Sequence, residues 1–194
     1  MQLSARHLLC CAVLMLCVAL VACASTAQSH AVAQGSAVST VEAPLLRLPP
    51  AALPTPMALQ QRLTFSHGQR TQTVDALVES DASATRVVVH AQGQVALRLD
   101  WDGNELQQQR ASWLPAALDG ERVLNDLQLA YWPLAAIRAA LPDGWSASEH
   151  EGERSLDKDG VRIVSIRHVS PNQVELQQHS LGYSLRIESA EVQP

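Results

Sequence analysis

Little in this sequence is suited to covalent or charge-driven chemistry. Among 194 residues there are four cysteines, one phenylalanine and a single lysine, Lys158. The remaining cations are arginines, and none cluster. With a net charge of −5, a nucleic-acid surface is excluded, because such surfaces need a basic patch. No His-Glu-x-x-His or His-x₃-His spacing is present, so zinc has no local signature. Neither a Gly-x-Ser-x-Gly elbow nor a glycine-rich phosphate loop occurs. The expectation is a protein that is not an enzyme and has no cofactor and no metal. The one long apolar run, Leu8 to Leu20, is shorter than the roughly 18–20 residues a membrane span needs.

That run is informative in another way. Arg6 precedes it, and Leu20-Val21-Ala22-Cys23 closes it. This resembles the lipobox of bacterial lipoproteins, cleaved before Cys23, with Cys23 then carrying diacylglycerol and palmitate-type acyl chains. Cys10, Cys11 and Cys17 would leave with the signal. The mature chain would then have no pair of thiols for an internal disulfide, and stability would rest on packing. Acyl chains contribute about 0.8 kcal/mol per buried CH₂, so several of them anchor a protein durably. Residue 24 is Ala rather than Asp. By resemblance to the enteric sorting rule, this implies the periplasmic face of the outer membrane.

Three segments follow: 1–22 as signal peptide, 23–56 as lipidated cysteine and tether, and 57–194 as one domain. The tether is expected because 24–43 is small and polar, and Pro44, Pro49, Pro50, Pro54 and Pro56 come next. Leu45, Leu46 and Leu48 leave its far boundary soft. From Leu59 the period becomes two. Leu59, Leu63 and Phe65 alternate with polar residues, as do Val74, Ala76 and Val78, with Leu77 blurring the pattern. Val95, Leu97, Leu99 and Trp101 form the cleanest early strand, ended by the turn Asp102-Gly103-Asn104. Alternation of this kind predicts an antiparallel sheet with one wet face.

The middle switches to helical spacing through Val123, Leu127, Tyr131, Leu134, Ile137 and Leu141. Asp119 is a plausible N-cap, and Pro142-Asp143-Gly144 ends the run. Pro133 sits inside it, and a mid-helix proline costs about 3 kcal/mol. Two short helices near 121–131 and 133–141, or one kinked helix, are therefore expected. Strands then return, with a turn at Asp157-Lys158-Asp159-Gly160 and clean alternation over Leu181, Tyr183, Leu185 and Ile187.

Strands, a helical insert with a central proline, and more strands behind a lipobox resemble the lipoprotein carriers LolA and LolB. The segment Leu127 to Trp145 and the closing strand Gly182 to Ser189 are similar to a proteobacterial lipoprotein family of unknown function, often encoded near aryl-polyene synthesis genes. The resemblance runs from about Leu45 to the C-terminus. It implies a mainly β fold, a curved antiparallel sheet forming a half-open barrel plugged by the helices. It also implies an apolar cavity for an acyl chain, an aryl-polyene lipid or a lipoprotein's lipid group. A LolB-type loop with a protruding leucine is not seen.

Candidate residues follow. Cys23 is the lipid-attachment site. Leu97, Leu99, Trp101, Trp132, Leu134 and Ile137 are expected to line the cavity. Trp113, Tyr131, Trp132 and Trp145 gather around the helical insert, either as wedges between helix and sheet or as cavity wall. His90 and His168 could meet across strands, but separate polar-face positions fit better. Glu149 to Glu153 reads as a solvated acidic patch. The expected partners are the membrane, through the N-terminal lipid, and the acyl, aryl-polyene or lipoprotein cargo. The protein is expected to be a monomer. The rival reading is a structural or interaction lipoprotein of an envelope complex, without lipid cargo.

Overall fold

In the computed structural model, the residues described are 41–114 and 119–192. Cys23 and the signal segment lie outside them. Ten strands form one antiparallel sheet. They are β1 (Met57–His67), β2 (Arg70–Ser80), β3 (Thr85–Ala91), β4 (Gln94–Trp101), β5 (Leu106–Arg110), β6 (Trp145–His150), β7 (Glu153–Lys158), β8 (Val161–Ser170), β9 (Gln173–Gln178) and β10 (Tyr183–Glu191). The sheet order is β5-β4-β3-β2-β1-β10-β9-β8-β7-β6. The first and last strands therefore pair at the centre, and the two edge strands are consecutive in sequence. Helices α1 (Gly120–Tyr131) and α2 (Leu134–Ala140) lie in the link between those edges. The expected mainly β architecture is found: a curved open sheet with two short helices.

Tight hairpins make this order possible. Asp159 and Gly160 have φ of 49° and 80°, and Gln92-Gly93 and Glu151-Gly152 repeat the same pair of signs. Two consecutive positive φ values match the twist of a two-residue hairpin, and only glycine adopts the second without strain. On β1, Leu59, Leu63 and Phe65 face inward while Arg62 is exposed. Leu77, which blurred the sequence pattern, is on the outer face, 43% exposed and paired with Val88. Ile163 and Val164 are adjacent yet both buried. A register shift between Leu156 and Asp157 on the neighbouring strand breaks the alternation there.

The chain breaks between the helices where Pro133 requires it. Asp119 Oδ1 accepts from Arg122 N at 2.9 Å and caps the start of α1. At the other end Pro133 has no N–H, so the Leu129 carbonyl four residues earlier lacks its helical donor. Arg154 supplies one: its Nη1 donates to Leu129 O at 2.7 Å and to Trp132 O at 2.9 Å. His168 Nε2 donates to Ala130 O at 3.0 Å. Glu149 accepts from the rest of the Arg154 guanidinium. The α1 C-terminus is thus clamped by side chains from β7 and β8, which suits the negative end of a helix.

The boundary expected at residue 56 moves. Ala43, Leu46 and Leu48 are buried in the core, and residues 43–50 form a strap fixed to the domain. Leu46 N donates to Asn125 Oδ1 at 2.8 Å. Leu48 N donates to Gln128 Oε1 at 3.0 Å, and Gln128 Nε2 returns a bond to Leu48 O at 2.8 Å. Two indoles complete the hold: Trp101 Nε1 donates to Leu48 O at 2.8 Å, and Trp132 Nε1 to Pro49 O at 3.2 Å. The strap also lies against the 102–104 turn, where a Cβ on Gly103 would meet Pro50 Cδ at 3.3 Å. An extended strand that buries its side chains must pair its backbone groups, because each one left unsatisfied costs about 1–3 kcal/mol. The amides of α1 meet that need here. Proline-rich composition suggested a spacer; partners far along the chain make residues 43–50 part of the domain.

Candidate functional site: an apolar hollow beneath helix α1

Alternation aims one side chain in two from each strand at the helices. At two inward positions the residue is small, Ala76 by alternation and Ala96 through the register shift opposite Val89 and His90. Ala76 on β2 and Ala96 on β4 are buried and too short to reach α1. A cavity of about 110 Å³ remains between these strands and the first two turns of the helix. Val78, Val87, Val89 and Leu97 form its deep wall, and Val123 and Leu127 its roof. Toward the β1–β2 hairpin, Leu63, Phe65, Val74 and Leu185 face inward yet are only half-buried. Among the described residues no helix covers them there, and they make an apolar mouth. An apolar cavity of about 150 Å³ stays dry and accepts a benzene-sized molecule, so this space suits a few methylene groups.

One wall is polar. Asp126 on α1 is buried and also lines the hollow. Tyr183 Oη donates to Asp126 Oδ2 at 2.7 Å, and Gln178 Nε2 to Oδ1 at 3.0 Å. Burial pushes the Asp126 carboxyl up from 3.8 to about 6, with the bonds from Tyr183 and Gln178 and the nearby Arg122 opposing. Burial, reinforced by Asp126, raises the Tyr183 phenol well above its ordinary value, so it stays a donor. Phe65 packs on Tyr183 with ring centroids 5.1 Å apart. Arg122, one turn before Asp126, is engaged by Glu42, with Nη2 to Oε2 at 2.9 Å.

A larger hollow of about 620 Å³ lies on strands β1, β7, β8, β9 and β10, and polar residues line most of it, among them Thr64, Arg167, Glu175 and Arg186. Ser165 Oγ and His179 Nε2 are 2.7 Å apart there. No third side chain orients that imidazole among the described residues, so a triad is not assembled. Among the described residues, no three His, Cys, Asp or Glu side chains are placed to hold a metal ion. His90 is on β3 and His168 on β8, with β2, β1, β10 and β9 between them. The two histidines do not meet, because the sheet order separates their strands.

The family model described as "Protein of unknown function (DUF3261)" matches residues 58–191. The chain belongs to this family. No curated protein matches the sequence. Among solved structures, a DUF1329 family protein from Desulfovibrio piger is similar at 8% identity. The match covers 73% of this chain and 87% of that one, with a TM-score of 0.36. At that score the two folds are too far apart for one to inform the other's function.

Of the six residues expected to line a cavity, this family member brings Leu97 to the hollow. Leu99, Trp101, Trp132 and Ile137 are instead buried in the close-packed core, at 2% exposure or less. Leu134 packs against that core, half-buried. The reason is the strap: Trp101 and Trp132 are turned to meet Leu48 and Pro49, so their ring faces fill space. Of the other aromatics near the insert, Trp113 is 45% exposed. Tyr131 bonds Gln61 and Ser189, and Trp145 packs on the core. The polar wall of Asp126 and Tyr183, with Gln178 bonded behind it, was not anticipated. Its one sequence signal is an acid on the apolar stripe of α1, between Val123 and Leu127.

Proposed function

We propose that this protein is a non-catalytic lipoprotein, anchored through Cys23 at the periplasmic face of the outer membrane. It binds or hands over an acyl, aryl-polyene or lipoprotein lipid group. The observation that carries this reading is the apolar hollow under α1, which opens through half-exposed inward-facing side chains. Binding sites for small apolar ligands are concave, with few polar groups, and this one has an apolar lining and one polar wall. Burial of chain would contribute about 25 cal/mol per Å². The LolA/LolB resemblance of the strand–helix–strand order supports the same reading.

The volume favours a second one. At about 110 Å³ the hollow is roughly a third of the smallest common ligand pocket, about 300 Å³. A filled core is what a structural or interaction lipoprotein of an envelope complex would have. The test is to export the mature chain with Cys23→Ser, purify it without detergent and record native mass spectra. Copurified lipid, or saturable binding of a fluorescent fatty acid, is expected. An empty protein that binds no fatty acid, with crosslinking in cells capturing one protein partner, would replace the first reading with the second.

A further inference from the structure

The mouth of the hollow has a chemistry of its own. Gln72 lines it, and Arg70 lies two residues earlier on the same strand, hence on the same face. Arg70 pairs in register with His67, and His67 with Tyr183. His67 and Arg70 are exposed. No carboxylate lies within ion-pair distance of Arg70 among the described residues. On the other side of Tyr183 stands Arg122, which interacts with the phenol and lines the hollow. The row Arg70, His67, Tyr183, Arg122 therefore borders the apolar mouth formed by Phe65, Val74 and Leu185.

The acids nearby are already engaged. Asp126 accepts from Tyr183 and Gln178, and Asp119 from the Arg122 backbone N–H. Glu42 occupies the Arg122 guanidinium at 2.9 Å. It is the last residue before the buried strap begins at Ala43, and its side chain is 55% exposed. A carboxylate of the protein itself therefore sits where an incoming acid group could bind, held by a contact that solvent weakens.

We infer that the hollow takes single-chain amphiphiles with an anionic head, a carboxylate or a phosphate, and that Arg70 and Arg122 bind that head while Glu42 competes for Arg122. The inference rests on the lipid-binding reading and adds the ligand's class to it. The first few methylene groups of the tail enter between α1 and β1–β4, as the volume of about 110 Å³ allows. The head stays at the wet mouth, where a guanidinium offers a planar fork to either anion.

The experiment titrates dodecanoate, dodecyl phosphate and dodecanol, each below its aggregation concentration, into the full mature chain carrying Cys23→Ser. At low salt the two anions are expected to bind about tenfold more tightly than dodecanol, the size of one charge-assisted hydrogen bond. Arg70→Gln changes an exposed side chain, so folding is preserved. It should remove most of that advantage and leave dodecanol binding unchanged. Glu42→Gln should strengthen binding of both anions several-fold and leave dodecanol alone. A preference between dodecanoate and dodecyl phosphate would distinguish a fatty acid from a phosphate head. Equal affinity for all three ligands, or an anion advantage that survives Arg70→Gln, overturns the head-group assignment while leaving tail binding in place. Failure of every ligand, dodecanol included, removes the lipid-binding reading and this inference with it.

Discussion

The two ends of helix α1 are held in opposite ways. At its C-terminus three carbonyls are bonded by Arg154 and His168, Trp132 is fully buried, and the strap lies across the same region. At its N-terminus the holding is done at the surface: the Asp119 cap, the Gly120 N–H bond to Gln108 Oε1 at 2.9 Å, and the solvent-exposed pairs Arg122–Glu42 and Arg47–Glu121. The apolar hollow is under this second end. The difference has a physical source. Pro133 strips the C-terminus of a donor and forces a polar replacement, whereas Ala76 and Ala96 leave the N-terminus without full contact. One end is over-determined and the other has room to admit a ligand.

Substitutions at the C-terminal end of α1 are expected to have the larger effects. Trp132→Ala removes a fully buried indole and its bond to Pro49, and should cost about 4 kcal/mol in urea unfolding. A loss under about 1 kcal/mol would mean the clamp and strap are not the stable end. Arg154→Ala leaves the Leu129 and Trp132 carbonyls without their donor and should cost about 3 kcal/mol. Arg154→Lys should recover only part, since one ammonium cannot reproduce the fork.

Smaller effects are expected at the open end. Asp126 has a folded-state pKa of about 6 against an ordinary 3.8. Between those values the folded state binds more protons than the unfolded one, so this group makes stability fall as pH rises through that window. The effect is on the order of 2 kcal/mol. Unfolding of the wild type and Asp126→Asn at pH 4.5 and 7 should show this decline in the wild type alone, and parallel pH profiles would refute it. Asp119→Ala should cost only about 1 kcal/mol, the usual value of an N-cap. A loss as large as that of Trp132→Ala would erase the contrast between the two ends.

Much of the fold was legible because its signals are local. Period-two alternation located β1, β4 and β10; the Asp102-Gly103-Asn104 turn marked the end of β4, and the Asp157 to Gly160 turn the β7–β8 hairpin. Asp119 and Pro133 set the helix limits to within a residue or two. The strap was legible only as a soft boundary at Leu45, Leu46 and Leu48, of which Leu46 and Leu48 are buried. Pro44, Pro49 and Pro50 look like a spacer in any local window, and what holds them, Gln128 and two indoles, lies 53 to 83 residues away. The hollow was read only in part, through Leu97. Large side chains were expected to line it, but large side chains fill space. The small residues opposite α1, Ala76 and Ala96, open it, and alanine in a strand gives no local signal of a cavity.

By itself the sequence determined the strand and helix segments, the break at Pro133 and the lack of any local metal or nucleophile motif, because backbone preference and alternation act over a few residues. Tertiary structure alone decided that β1 pairs with β10, that residues 43–50 close over two tryptophans, and that Asp126 is buried against Tyr183. Those outcomes depend on contacts between segments from 50 to 130 residues apart, and such contacts exist only once the sheet has brought its two edges under the same helices.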